Sequence, residues 1–410
     1  MHTGWEVVVI GAGAAGLMAA SRAAERGQRV LLLEKNRKPG VKILMSGGTR
    51  CNITHACDNR GIVDAFGPGG RFLHSALAAL SVQDTIAFFE AEGVATKVEE
   101  TSKVFPVSDK AADVLAALLA RVQRSGATLA LGEPATDICL GPNGVFEVAT
   151  PQRRLCCPRV VLTTGGQSYP GCGTRGDGYG FAARFGHTIV APRPALVPIT
   201  VRANWVGELR GITLPDVALK VLEGDRVLAS RRGGFLFAHF GLTGPAPLDV
   251  SKAITRHANP QALTLEVDFL PGLREPDVDE FLKREALASG KKQLAVVLSE
   301  HLPRRLGESL LSLLGQPVDR RAAGLSRADR GGLVTVVKRL QLPVTGTLGF
   351  EKAEVTSGGV ALAEVDSRTM QSTRAPGLFL AGEVLDLDGP IGGYNFQAAW
   401  STGWLAGSSV

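Results

Sequence analysis

The chain has 410 residues, enough for two or three domains, and its 45% hydrophobic and 20% charged residues match a soluble globular protein rather than a disordered or fibrous one. Six cysteines in so long a chain do not make a disulfide framework, no Cys/His set has zinc spacing, and no metal is expected. The net charge is only +6, and the uncharged run between Glu6 and Arg22 is too short and glycine-rich to span a bilayer, so no membrane role is expected. The residues before that run lack the Lys/Arg of a secretory signal, and the cytoplasm is the natural location.

The run Glu6 to Ile10 reads as a buried strand. It feeds Gly11-Ala12-Gly13-Ala14-Ala15-Gly16, a helix-prone stretch over 17–26, and a second strand over 29–33 that ends in Glu34. Strand, glycine turn, helix, strand and acid make up the dinucleotide-binding βαβ unit; a glycine turn that binds nothing is the alternative. Gly11 permits the tight turn, Gly13 leaves room for a pyrophosphate against the backbone, and Gly16 lets helix and strand approach closely. The helix N-terminus offers unpaired N–H groups to that pyrophosphate. Glu34 can accept ribose hydroxyls.

Next comes a polar glycine-rich loop over 42–52, then helical patterns at 72–80, 82–92 and 110–125. Residues 127–131 read as a third parallel strand, 137–140 and 145–149 as a hairpin around Pro142-Asn143-Gly144, and 158–163 as another buried strand ending near Gly165-Gly166. A second literal GxGxxG at 171–176 does not follow a strand directly, so it reads as a loop and helix start rather than a second nucleotide unit. Cys51 and Cys172 each lie in a glycine-rich loop.

The composition changes near Ala191. Short β-runs at 197–201, 217–222, 227–230, 235–238 and 263–269 suggest an antiparallel barrel or sandwich. Residues 277–339 turn helical and basic, with twelve Lys/Arg against five Asp/Glu over 283–339. The pairs Lys291-Lys292, Arg304-Arg305, Arg320-Arg321 and Lys338-Arg339 form either a phosphate-binding surface that contacts RNA or a solvated helical face. Residues 342–348 return to β. The chain re-enters the first domain near Glu354 and closes with a strand at 378–381 and a helix at 394–405. Between these last two lie Gly382, Glu383, Asp386 and Gly392-Gly393, a second helix start suited to the negative charge of a reduced flavin. One βαβ unit for the adenosine diphosphate half and a distant glycine-rich helix start for the ring system point to FAD.

With these motifs in order, the chain resembles the BaiN/YhiN-type bacterial flavoproteins, described as NAD(P)/FAD-dependent oxidoreductases. The resemblance rests on residues 8–35, 42–54, 103–110, 164–187, 237–245 and 356–407. It implies an α/β fold in which a discontinuous Rossmann-like FAD domain (1–190 and 354–410) carries an inserted β-rich, barrel-like domain (191–276 and 341–353) and a basic helical cap (277–340). It assigns Gly11, Gly13, Ala14, Ala15 and Gly16 to the pyrophosphate and Glu34 to the ribose, with Lys35 and Ala135 also at the cofactor. Lys42, Ser46, Gly47, Gly48, Arg50, Cys51 and Asn52 would line the flavin, Thr164, Gly165 and Gly166 would back it, and Gly382, Glu383, Asp386, Gly393, Tyr394 and Asn395 would close its far side. Thr49 stands where the family usually has glycine, and Val41 where a basic residue is common.

The resemblance implies redox chemistry but not one substrate. The leading expectation is NAD(P)H-driven reduction of an activated C=C bond, in a small molecule or, preferred because of the basic insertion, a ribosomal RNA uridine. The alternatives are an FAD oxidase of a small aminoketone that releases hydrogen peroxide, and a nucleic-acid-binding protein with structural FAD. A reductase needs a proton donor. Tyr169, Arg175 (as an electrostatic clamp) and His239 are the catalytic candidates, with Cys172 and Tyr394 behind them; a core position for His239, between bulky apolar neighbours, is the competing reading.

Overall fold

The computed structural model describes residues 4–141, 143–288 and 290–410; Pro142, at the expected hairpin tip, lies outside the described residues. The chain forms two compact units, Met1–Pro194 with Glu354–Val410, and Ala195–Ala353. The fold is α/β: a Rossmann-like unit interrupted by an antiparallel barrel that bears helices.

The first unit is built on five parallel strands in the order Leu378–Leu380, Arg159–Leu162, Val7–Ile10, Val30–Glu34, Thr128–Leu131. The central strands are apolar without interruption because both faces of the sheet are covered. Val7, Val9, Val30 and Leu32 face a core with the helices Ala14–Glu25, Ala111–Arg124 and Tyr394–Ser409. Val8, Ile10, Leu31 and Leu33 face the other way, against Phe146, Val148, Tyr179 and Phe181. The expected hairpin gains a third strand, Arg154–Cys157, so Cys156 and Cys157 are buried inside a small antiparallel sheet just before the strand Arg159–Leu162.

Two expectations need correction here. The first helix begins at Ala14, not near Leu17, since the last glycine of the turn lies within its first turns. The expected loop over 42–52 begins as a helix: Val41–Thr49 turns helically until Ser46, where Gly47 and Gly48 take left-handed angles. Ile43, buried beneath it, drives that turn into the core.

The second unit is a closed barrel whose strands run Ile199–Val201, Gly241–Thr243, Arg226–Ala238, Thr213–Glu223, Leu263–Asp268, Leu340–Thr347 and back to the first. The two short runs expected at 227–230 and 235–238 are one strand of 13 residues, continuous through Gly233-Gly234. The helix Pro245–Arg256 was not anticipated, although proline at its first position and buried Ala246, Val250 and Ile254 at four-residue spacing mark it. Helices Glu275–Ala288, Leu294–Leu298, Arg304–Leu313 and Arg327–Lys338 follow. Leu302, Leu306, Leu310 and Val337 tie them to the barrel core. Among the described residues no single helix is long and apolar enough to cross a membrane.

The C-terminal helix approaches the first helix through glycines one turn apart. A Cβ at Gly403 would lie 2.9 Å from the Ala15 Cα, and one at Gly407 would lie 2.9 Å from the Ala19 Cα. Gly403→Val is therefore expected to force these helices apart and lower the melting temperature, at a cost of about 1–3 kcal/mol. Ser408→Ala, which removes only the hydroxyl that accepts from Arg22 Nε, should stay close to wild type in the same thermal melt.

Candidate functional site

The glycine turn is packed backbone against backbone. Gly11 has φ +103°, and a Cβ there would lie 2.6 Å from the Thr163 carbonyl oxygen; a Cβ at Gly16 would overlap the Gly11 carbonyl. The Thr163 hydroxyl donates to the Ile10 and Gly11 carbonyls, each at 2.9 Å. Gly13 differs: a Cβ there would meet nothing within 4 Å, and no side chain caps the helix that starts beside it. This is a cradle a side chain would fill, floored by first-turn N–H groups.

Glu34 is buried at the end of its strand and accepts from the backbone N–H groups of Ala12 (2.9 Å) and Asn36 (2.8 Å). Each of its oxygens keeps a lone pair free. Lys35 pairs with Asp177, and Asn36 Nδ2 donates to the Cys172 carbonyl at 3.0 Å. The second glycine motif is thereby bound to the first, as a loop leading into the helix Asp177–Arg184.

Three further segments of the same unit carry the expected cofactor residues. In the first, Gly47, Gly48, Thr49 and Cys51 all have φ between +56° and +70°. Thr49 and Cys51 hold left-handed backbone that β-carbon-bearing residues avoid, as does Tyr169 (φ +54°) in the loop after Gly166. Strain of this kind gathers at functional sites. In the second and third segments, Glu383 is the hub. It accepts from Lys42 Nζ (2.7 Å), the Ser168 hydroxyl (2.8 Å) and the Thr356 N–H (2.8 Å), while Lys42 Nζ also donates to Ser168 Oγ at 2.6 Å. Thr356 Oγ1 accepts from the N–H groups of Gln167 and Ser168. Ser168 and Thr356 were not foreseen. They carry no motif of their own, and only the fold brings them to Glu383.

Several assigned residues turn out to hold the loops. The Arg50 guanidinium lies over the Phe105 ring and pairs with Glu99 (2.7 Å) and Asp109 (3.4 Å), which raise its pKa. The Asn395 amide is taken up by the Gly389 N–H and the Gly389 and Pro390 carbonyls, which fixes the bend before the C-terminal helix. Gly382 and Gly393, at φ +75° and +97°, make the close approaches there; the Gly382 N–H donates to Thr402 Oγ1. Ser46 Oγ donates to the Ile43 carbonyl. Burial pushes the Cys51 thiol up to about 12 and raises Cys172 as well, so neither is a thiolate near neutrality. Tyr394 stacks on His55, with ring centroids 4.5 Å apart.

Tyr169 and Arg175 share the loop beside Ser168, Tyr169 half-buried and Arg175 exposed. His239 belongs to the other unit. It is not a core residue but is exposed on the turn between Arg226–Ala238 and Gly241–Thr243, its ring against Phe240. Ala135 is half-buried against the second core of the first unit.

The residues fit a dinucleotide with a polar ring system. Besides the open Gly13 cradle, two buried oxygens of residues expected at the cofactor, Asn52 Oδ1 and Thr164 Oγ1, have no hydrogen-bond partner, and a buried polar atom without one is costly. The Tyr179 hydroxyl is also unpartnered, and burial followed by the charges of Glu383 and Asp386 raises its pKa.

A separate buried relay lies in the same unit. Ser372 Oγ accepts from the Arg374 and Ala375 N–H groups and lies 2.7 Å from His187 Nε2, while His187 Nδ1 lies 3.4 Å from Glu364 Oε2. With its lone pairs taken by two backbone donors, the hydroxyl gives its proton to Nε2, so the imidazole hydrogen sits on Nδ1, which makes no hydrogen bond and lies 3.4 Å from Glu364 Oε2. The arrangement resembles a hydrolase relay in outline, but the serine is buried and committed, so it acts as a strut. Burial lowers the His187 pKa below its ordinary 6.5, and Arg374 and Thr188 hold Glu364 down to about 2. Both groups refuse a proton that the unfolded chain accepts. Their contribution is complete above pH ~6.5 and is lost on acidification, first through His187 and then, below about 4.5, through Glu364. Melting temperature against pH should fall on this course, and His187→Gln should flatten the limb between pH ~6.5 and ~4.5.

The family model described as the HI0933-like protein Rossmann domain matches residues 5–409. A ribosomal RNA dihydrouridine synthase of Escherichia coli is 34% identical over 409 residues, 99% of this chain and 98% of that protein. A 3-dehydro-bile acid delta(4,6)-reductase of Clostridium scindens is 31% identical over 405 residues, 98% of each. Among solved structures, a 3-ketosteroid-delta4-(5alpha)-dehydrogenase of Rhodococcus jostii has the same fold, with a TM-score of 0.54 at 16% identity over 100% of this chain and 97% of that one. The chain belongs to the HI0933-like family.

Proposed function

We propose that this member of the HI0933-like family is an FAD-dependent oxidoreductase that draws on NAD(P)H to reduce an activated carbon–carbon double bond, with a ribosomal RNA uridine as its preferred substrate. One observation carries the reading. The open Gly13 cradle, the uncapped helix and Glu34 lie in the same unit as lining oxygens that lack a partner. The names of the relatives supply the reaction class: the uridine ring and a 3-oxo steroid both present a double bond conjugated to a carbonyl.

FAD held here would supply two-electron hydride chemistry. Gly13 and the first-turn N–H groups bind the pyrophosphate, and the free lone pairs of Glu34 receive the adenosine ribose hydroxyls. Lys42, in the same helical segment as the left-handed Gly47 and Gly48, has its ammonium fixed by Ser168 and Glu383. Asn52 Oδ1 and Thr164 Oγ1 take up ligand donors. The substrate carbon that does not receive hydride needs a proton, and Tyr169 is the donor we assign, with Arg175 on the same loop steadying the carbonyl.

Gly13→Val should fold with the wild-type melting temperature measured without FAD, because its Cβ meets nothing, yet it should lose the flavin absorbance band. Gly16→Val should fail to fold. A Gly13→Val protein that keeps its flavin would contradict the cradle. Anaerobic mixing of the FAD-loaded protein with NADH or NADPH should bleach the flavin, and unmodified ribosomal RNA should restore the oxidised spectrum and gain dihydrouridine. A flavin that stays oxidised with both nucleotides would remove NAD(P)H as donor; hydrogen peroxide formed from an aminoketone would replace the reductase by an oxidase.

A further inference from the structure

Basic pairs stand out in the sequence over 283–339, and the structure treats them differently. Lys338 is buried against Asp268 and the Leu270 carbonyl, and Arg339 pairs with Glu275. Arg304 pairs with Glu308, and Arg305 donates to the Glu208 carbonyl. These four cations are committed within the unit.

The other two pairs, nearly thirty residues apart in sequence, are brought side by side. Gln293 and Arg321 form an antiparallel bridge, supported by Leu294 N–H to the Arg320 carbonyl (2.7 Å) and Ala322 N–H to the Lys292 carbonyl (2.9 Å). In extended chain, successive side chains point to opposite faces. Leu294 and Ala322, both buried, define the inner face. Lys292 and Arg320 share its parity and have acids beside them: Lys292, itself exposed, lies 3.8 Å from Glu285 and Glu300, and Arg320 pairs with Asp329 at 2.8 Å. Lys291, Gln293 and Arg321 have the opposite parity and are exposed. Arg327 is exposed at the first position of the helix capped by Ser326, two residues before Asp329, the partner of Arg320. Among the described residues, Lys291, Arg321 and Arg327 have no acidic partner. The unit that carries them has 22 Lys/Arg against 17 Asp/Glu, and so nearly all of the chain's net charge of +6.

We propose that this outward face is a phosphate-backbone clamp for RNA: Lys291, Arg321 and Arg327 neutralise phosphates, and Gln293 between them supplies an amide for a phosphate or 2′-hydroxyl. The choice of RNA rests on the uridine-reductase reading above. Unpaired, exposed cations release counterions on binding, whereas ion-paired ones first have to break an internal bond. Specificity for one base is not expected from such contacts, which position rather than read.

The test uses the whole FAD-loaded protein and a fluorescein-labelled, uridine-containing RNA hairpin, with affinity followed against salt. Lys291→Ala/Arg321→Ala/Arg327→Ala should bind about tenfold or more weakly near physiological salt, and the slope of log affinity against log salt should fall by about 2 to 3. Arg26→Ala/Arg60→Ala/Arg71→Ala, which removes equal charge from exposed positions of the other unit, should behave as wild type. Both variants should keep the wild-type melting temperature and flavin spectrum. Equal RNA binding by the two variants would overturn the clamp. So would a wild-type protein that binds no RNA, or one that binds phosphatidylserine vesicles through the three residues in preference to RNA. A clamp variant that still bleaches with nicotinamide and reduces free uridine as wild type does, but has lost RNA affinity, separates the clamp from the chemistry. Wild-type RNA binding without any uridine reduction would overturn the substrate reading and leave the clamp standing.

Discussion

The first unit depends on one close approach of backbone to backbone. The Gly11 carbonyl occupies the space where a Gly16 side chain would be, and the Thr163 carbonyl occupies that of Gly11. Two strand ends and a helix start thus converge within van der Waals contact, and only glycine allows it. The consequences reach outward from there. The first helix is drawn low enough over the sheet for Gly403 and Gly407 of the C-terminal helix to press against it. Glu34 is brought within hydrogen-bond reach of the Ala12 N–H, and of the three turn glycines Gly13 is the one left facing open space. The candidate site is what remains unfilled once that packing is complete.

Much of this was legible in the sequence because the strands are buried on both faces. Uninterrupted runs such as Val7–Ile10 and Val30–Glu34, with the glycine spacing between them, identify a parallel α/β unit, and the return of the chain near Glu354 follows from the strand at Leu378–Leu380. The barrel was legible as alternation, since Thr213–Glu223 and Leu263–Asp268 each bury every second residue over much of their length. The helix Pro245–Arg256 escaped because its polar residues, among them Asp249, Ser251 and Lys252, obscure a short apolar stripe. The helical start at Val41 escaped because the glycines that follow read as loop.

The site was less legible than the fold, for a physical reason. Residues that touch a ligand and residues that hold the touching residues share the same motifs. Arg50 and Asn395 stand among the assigned lining residues, yet their side chains are occupied by Glu99, Asp109 and the Gly389–Pro390 carbonyls. Ser168 and Thr356 hold Glu383 and carry no pattern that spacing could expose. The basic pairs divide in the same way. Adjacent cations look alike in sequence, but Lys292 has Glu285 and Glu300 beside it while Lys291 has no acidic partner among the described residues. Net charge identified the unit, and only the bridge between Gln293 and Arg321 identified the face.

Titrating FAD and FMN in parallel into the flavin-stripped protein tests the central claim most directly. On the reading proposed above, the glycine turn and Glu34 would hold the adenosine and pyrophosphate part of FAD, of which FMN carries a single phosphate. One molecule of FAD per chain should therefore bind tightly and raise the melting temperature, while FMN at the same concentration should bind far more weakly. Equal binding of the two, or binding of neither, would contradict the account.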